Sequence, residues 1–147
     1  MRIESATPAD RDVWIAMREE LWPDSRATHA AEVDRYFSGQ AREPLAVLIA
    51  TSDDQRALGF VELSIRPYAE RCRTDRVAFL EGWFVRPDAR GQGVGRALVA
   101  ASEEWARSRG CSEFASDAEA GNEASIAVHL ALGFRDEGLI RCFSKKL

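Results

Sequence analysis

Short apolar runs, alternating stretches and helical stripes follow one another along this chain, and each change of period marks an element. Residues 1–5 alternate apolar and polar, as a half-buried strand does. Thr7-Pro8-Ala9-Asp10 reads as a helix start, with Thr7 as cap, Pro8 in the first turn and Asp10 at the positive end of the dipole. Val13, Met17 and Leu21 follow at helical spacing until Pro23 ends the helix. A second helix is predicted over residues 28–37, stopped by Gly39. The nearly continuous apolar run 45–51 predicts a buried strand, and 52–56 a turn. Residues 57–66 return as a strand with Leu58, Phe60, Leu63 and Ile65 as core candidates. A polar loop over 67–76 leads to an aromatic-rich strand, 77–85, which Pro87 breaks.

A glycine-rich turn at 90–95 then opens a helix running to residue 109, with Val94, Leu98, Ala101 and Trp105 on one face and Gly110 as its cap. Residues 113–118 predict a further strand, and 124–132 a helix begun by Asn122 and ended by Gly133. Residues 134–138 and 139–144 predict a closing hairpin. The order β-α-α-β-β-β-α-β-α-β-β predicts an α/β (α+β) fold, a mixed sheet flanked by helices.

A length of 147 residues suits one domain, 1–147, and leaves little room for two. No apolar run approaches the roughly 20 residues that span a membrane, and the first residues lack a signal peptide's apolar stretch, so a cytoplasmic protein is expected. The net charge is −4 and the basic residues are interleaved with acids, which speaks against a nucleic-acid partner and fits a cationic small molecule. Cys72, Cys111 and Cys142 form no CxxC pair, and only His29 and His129 stand beside them. No metal site is expected, and the cysteines read as buried or half-buried free thiols.

Arg90-Gly91-Gln92-Gly93-Val94-Gly95 carries the clearest chemistry. Glycines between a strand and a helix let the backbone approach a ligand closely, and the helix start offers unpaired N–H groups to an anion. A P-loop needs Gly-Lys-Ser/Thr where Arg96 follows Gly95, and a dinucleotide fold wants GxGxxG near the first strand. The pyrophosphate of coenzyme A, or a turn that holds no ligand, remains.

Arg90-x-x-Gly93-x-Gly95 after the strand and Pro87 resembles the acetyl-CoA signature of the GNAT superfamily of N-acetyltransferases. Downstream, the segment from Asn122 through Ser125 and His129 to Gly133-Phe134 resembles that family's Asn, helix, Gly-Phe segment. The resemblance rests on motifs over residues 79–145 and on element order alone over 1–65. It implies the acyl-CoA N-acyltransferase fold, with central strands 80–85 and 113–117 splayed, acetyl-CoA as cosubstrate, and direct attack by an amine in a ternary complex.

By that resemblance, backbone groups of Trp83, Phe84 and Val85 meet the pantetheine arm. Arg90, Gly91, Gln92, Gly93, Val94, Gly95 and Arg96 hold the pyrophosphate, and Asn122 completes the cofactor side. Glu81 is the first candidate for the group that takes the amine's proton, directly or through a water, and Asp117 the second. Either acid can instead hold an ammonium without accepting its proton. His129 stands where many relatives carry a tyrosine and is the candidate donor to the leaving thiolate. A packed or cofactor-contacting histidine is the alternative.

A finer resemblance, to aminoglycoside 6'-N-acetyltransferases, rests on Leu21-Trp22-Pro23, on Phe79-Leu80-Glu81-Gly82-Trp83-Phe84-Val85 and on Ala115-Ser116-Asp117. It implies an aminoglycoside substrate, a role in antibiotic resistance, and a homodimer. A polycation needs carboxylates in its pocket, and Glu81, Asp117 and Asp136 are the candidates, with Trp22 and Tyr68 as pocket side chains. Glu119 and Glu137 read as ordinary solvated acids. Two other possibilities stay open: an N-acetyltransferase acting on a polyamine or a protein N-terminus, and an acyl-CoA sensor without turnover.

Overall fold

The apolar run and its return strand form the middle of a five-stranded sheet in the computed structural model, which describes residues Met1–Leu147. The chain divides into two compact units, Met1–Ser116 and Asp117–Leu147. The first holds β1 (Arg2–Ser5), α1 (Arg11–Leu21), α2 (His29–Phe37), β2 (Ala46–Thr51), β3 (Ala57–Arg66), β4 (Val77–Val85), α3 (Val94–Ser108) and β5 (Glu113–Ser116). The sheet order is β1-β2-β3-β4-β5. The first four strands pair antiparallel and β5 lies parallel to β4, so the sheet is mixed as predicted.

Alternation along the strands sorts the side chains into two layers. Val47, Ile49, Phe60 and Phe84 pack with Trp14, Met17 and Val33 beneath α1 and α2. Ala78 packs with Ala106 and Cys111 on the α3 side, with Trp105 and Phe114 against them. Coverage on both faces explains why β3 is buried from Gly59 to Ser64. Of its expected core residues, Phe60 and Leu63 are fully buried, while Leu58 and Ile65 are half-buried.

The β3–β4 ladder carries an irregularity that strand periodicity does not announce. Glu62 pairs with Gly82 and the next residue, Leu63, pairs with Leu80, so Glu81 is an extra residue on β4. Such a bulge re-aims the side chains around it. It brings Phe79 and Glu81 onto the same face as Gly82 and Phe84, while Leu80 and Trp83 look toward α3.

The second unit holds α4 (Glu123–Ala131). Asn122 caps it, its Oδ1 accepting from the Ser125 N–H at 3.1 Å. The Phe134 N–H closes the other end on the His129 carbonyl, with Gly133 at φ 92°. The predicted closing hairpin is absent, for residues 132–147 contain no helix or strand. An isolated two-stranded hairpin is marginally stable at best, and the five strands of the sheet include none from this stretch. Leu139, Ile140 and Phe143, read as hairpin residues, are exposed. Of the cysteines, Cys111 is buried and Cys72 half-buried as expected, whereas Cys142 is exposed.

Candidate active site

The glycine turn takes the shape that its composition asks for. Gly91 and Gly93 sit at φ 73° and 82°, in the left-handed region where side chains are strained. A Cβ at either would meet nothing within 4 Å, so the backbone faces open space. The first bond of α3 runs from the Ala97 N–H to the Gly93 carbonyl at 3.0 Å. The N–H groups of Val94, Gly95 and Arg96 therefore precede the ladder, at the positive end of the helix. The Arg90 Nε donates to the Val85 carbonyl at 3.0 Å, and the Gln92 amide donates to the Asp88 carbonyl at 2.8 Å, tying the turn to the end of β4. The Trp83 indole lies against Gly95, where a Cβ would stand 3.0 Å from its ring. This cradle of bare amides fits a diphosphate.

The edge of β4 continues from that cradle. Pairing with β5 runs from Val77 with Glu113 to Leu80 with Ser116 and stops there, while β4 goes on to Val85. On that side residues 81–85 have no strand neighbour, so an extended, amide-bearing chain can bond to them as a strand would.

The bulge residue Glu81 is held on its face by β3. The Ser64 hydroxyl donates to Oε1. Arg66 Nε donates to the same oxygen at 2.9 Å, and its Nη2 donates to Oε2 at 2.5 Å. The guanidinium carbon lies 3.5 Å from the centroid of the Phe79 ring. Beside Glu81 opens a cleft of about 260 Å³ lined by Arg18, Glu32, Glu43, Pro44, Glu62 and Glu81. Its carboxylates outnumber its single arginine, which suits a cation.

A buried polar network floors this cleft. Arg18 donates from Nη1 to Glu62 at 2.9 Å, from Nη2 to Glu32, and from Nε to His29 Nδ1 at 3.2 Å. His29 therefore accepts at Nδ1 and donates from Nε2 to the Trp22 carbonyl, 3.0 Å away. Trp14 Nε1 donates to the same Glu62 oxygen at 2.9 Å. Burial pushes the Glu62 carboxyl up to about 7, although Arg18 and the Trp14 N–H pull the other way. Trp22, half-buried, lies on Gly82, where a Cβ would come within 2.5 Å of its ring.

Among the other residues named from sequence, Tyr68 stands 63 % exposed in the loop between β3 and β4. Asp117 follows directly on β5 and begins the second unit. In that unit Asn122 caps α4, and the Asp136 carboxylate accepts from the Gly138 N–H at 2.9 Å. His129 Nδ1 lies 2.8 Å from the Ser125 carbonyl, which can only accept. Nδ1 therefore carries a proton directed at that carbonyl. Its ring meets Phe134 edge-on at 5.1 Å.

Arg18, Glu32, Glu43, Glu62, Ser64 and Arg66 were not selected from sequence. One signal was there: Glu62 interrupts the apolar stretch of β3 at a position that shares its face with Phe60. A charge at a core position needs a partner. Nothing local shows that the partner is Arg18, 44 residues away.

An amide cradle at a helix start, continued by a sheet edge left open where two parallel strands part, defines a protein built to hold an acyl-CoA. The chain belongs to the acetyltransferase (GNAT) family, whose model matches residues 14–134. It is 56 % identical over 139 residues to an aminoglycoside N(6')-acetyltransferase type 1 of Klebsiella aerogenes, covering 94 % of this chain and 91 % of that one. It is 37 % identical over 148 residues to a protein of the same name from Acinetobacter haemolyticus, covering 100 % and 99 %. Among solved structures it resembles aminoglycoside N-acetyltransferase AAC(6')-Iy in complex with CoA. There the TM-score is 0.91 and the identity 36 %, with 99 % of this chain and 95 % of that one covered. The same enzyme with a bisubstrate analog, CoA-S-monomethyl-acetylneamine, gives a TM-score of 0.90 over 99 % and 98 % of the two chains, again at 36 % identity.

Proposed function

We propose that this chain transfers the acetyl group of acetyl-CoA to the 6'-amino group of aminoglycosides, and that it thereby confers resistance to them. The observation that carries this reading is the carboxylate-lined cleft at Glu81, on the strand whose open edge leads from the amide cradle. The names and ligands of its relatives support it. Both compact units act as one acetyltransferase domain, in line with a family match that spans both. The protein works in the cytoplasm as a homodimer. No helix is long and apolar enough to cross a membrane, and the exposed Leu139, Ile140 and Phe143 are apolar surface that a second copy can cover.

Acetyl-CoA supplies an activated acetyl thioester. The amides of residues 91–96, with Arg90 and the Gln92 side chain bracing the turn, hold its diphosphate, and Asn122 completes the cofactor side. Backbone groups of Trp83, Phe84 and Val85 orient the pantetheine and donate to the thioester carbonyl, where charge develops. Glu81 orients the ammonium to be acetylated. Three of its four lone-pair positions are taken by Ser64 and Arg66, so one N–H can be accepted in a defined direction. Asp117 takes the amine's proton, and His129 gives a proton from Nε2 to the leaving thiolate. Trp22, Tyr68 and Asp136 complete the aminoglycoside contacts.

The test is acetyl transfer measured with kanamycin, tobramycin, spermidine and a peptide, with the product's acetylated position read by NMR. Acetylation at the 6'-nitrogen is expected. Turnover of spermidine or the peptide with no aminoglycoside product overturns the substrate, and CoA binding without any turnover overturns the enzyme.

Gly93→Asp tests the cradle. A side chain at φ 82° is strained, and its carboxylate stands where a diphosphate must lie. A loss of at least about tenfold in acetyl-CoA affinity is expected by calorimetry, the cost of one misplaced charge near the ligand. Unchanged affinity removes the diphosphate from this turn.

A further inference from the structure

We propose that Arg66 is a positioning residue for the acetyl transfer. Its guanidinium fork fixes the Glu81 carboxylate in the one orientation that aims the amine at the acetyl group. The proposal rests on the reading of Glu81 as the amine's anchor. Four observations carry it. Glu81 is the extra residue of the β4 bulge, so its backbone is not set by pairing with β3. Its carboxylate is held instead by side chains of β3, in a bidentate contact from Arg66 with distances of 2.9 and 2.5 Å and a bond from Ser64. The guanidinium itself lies over the Phe79 ring, 3.5 Å from its centroid, two residues before Glu81 on the same strand. Finally, Glu81 lines the carboxylate-rich cleft, whereas Arg66 does not, so Arg66 acts through Glu81 rather than on the substrate.

A two-point contact between planar groups restrains direction as well as distance, which a single ammonium cannot do. Misplacing a reacting group by about 1 Å can cost on the order of 100-fold in rate. Removing Arg66 also deletes a positive charge beside a cleft that takes a cation. Ground-state binding should therefore hold or tighten while turnover falls. General loss of structure does not produce that combination.

The experiment measures kcat and KM for kanamycin, acetyl-CoA affinity and Tm in Arg66→Met, Arg66→Lys, Glu81→Gln and the Arg66→Met/Glu81→Gln pair. Arg66→Met is expected to lower kcat about 30- to 100-fold with KM for kanamycin equal to or below the parent's, and with acetyl-CoA affinity unchanged. Arg66→Lys, which keeps the charge and loses the fork, should show the parent's KM but less than a tenth of its kcat. In the Glu81→Gln background, Arg66→Met should change kcat less than about threefold, because both changes remove one arrangement. Multiplying effects in the pair, full activity of Arg66→Lys, or a KM that rises with kcat intact overturns the proposal. An inactive parent marks failure of the substrate reading instead, so the two failures are told apart within one set of assays.

Discussion

Gly82→Ala is expected to lower kcat/KM for an aminoglycoside by about 100-fold or more and to lower Tm by several degrees. The cause is one methyl group. A Cβ at residue 82 would stand 2.5 Å from Trp22 Cη2 and 3.0 Å from its Cζ2. The indole has little room to retreat. Arg18 lies over its ring at 5.1 Å, Phe60 meets it at 6.4 Å, and His29 holds its carbonyl. The strain must go into β4, and Gly82 is the residue after the bulge that aims Glu81. Overpacking of this kind costs about 1–3 kcal/mol in stability, but the larger effect falls on turnover, through the orientation of Glu81. The double variant Trp22→Leu/Gly82→Ala should recover stability and not activity, since it relieves the clash but takes away the indole proposed to contact the aminoglycoside. Wild-type kinetics in Gly82→Ala would show that Trp22 moves freely and does not shape the cleft.

The largest effect on stability belongs to Arg18→Ala. Arg18 and Glu62 are both buried, with side-chain exposures of 8 % and 5 %. Removing one partner of such a pair leaves the other charge uncompensated, at a cost of about 3–5 kcal/mol. The cost depends on pH in a direction that the Glu62 carboxyl sets. Its pKa is raised from 4.5 to about 7 in the folded state, so between those values the native protein binds the proton that the unfolded chain has released. That contribution to stability is complete below 4.5 and is lost as pH rises through 7.

Without Arg18 the carboxyl is driven further toward its neutral form. The deficit of Arg18→Ala should therefore be smaller at pH 5.5 than at pH 8 in urea unfolding. Glu62→Gln should flatten the wild-type slope over the same range and should rescue part of the Arg18→Ala loss. A deficit independent of pH, or no rescue, would show that Arg18 acts through its contacts with Glu32 and His29 rather than through Glu62.

Much of the fold was legible because its signals are local. The bounds of β3 and β4 follow from their apolar runs and the turns beside them, and α3 opens within a residue or two of its glycines. The cradle was legible for the same reason, since left-handed glycines and a helix start are encoded within six residues. The closing hairpin was misread from the same kind of pattern. Apolar residues on both sides of Gly138 suggest two short strands, yet an isolated hairpin is marginally stable at best, and Leu139, Ile140 and Phe143 stay exposed. Glu81 was singled out from its strand, but nothing in the strand marks it as a bulge. That status comes from Glu62 and Leu63 skipping it on the neighbouring strand.

The sequence alone determined the elements up to α4, the glycine turn and the family, because each is written in neighbouring residues whose backbone preferences suffice. Tertiary structure decided how the site is tuned. It set Arg18 beneath Glu62, laid Trp22 on Gly82, and locked Glu81 to Arg66 from the adjacent strand. Charges and rings that lie far apart along the chain change one another's behaviour only once folding has excluded water between them, and no local pattern records which pairs will meet.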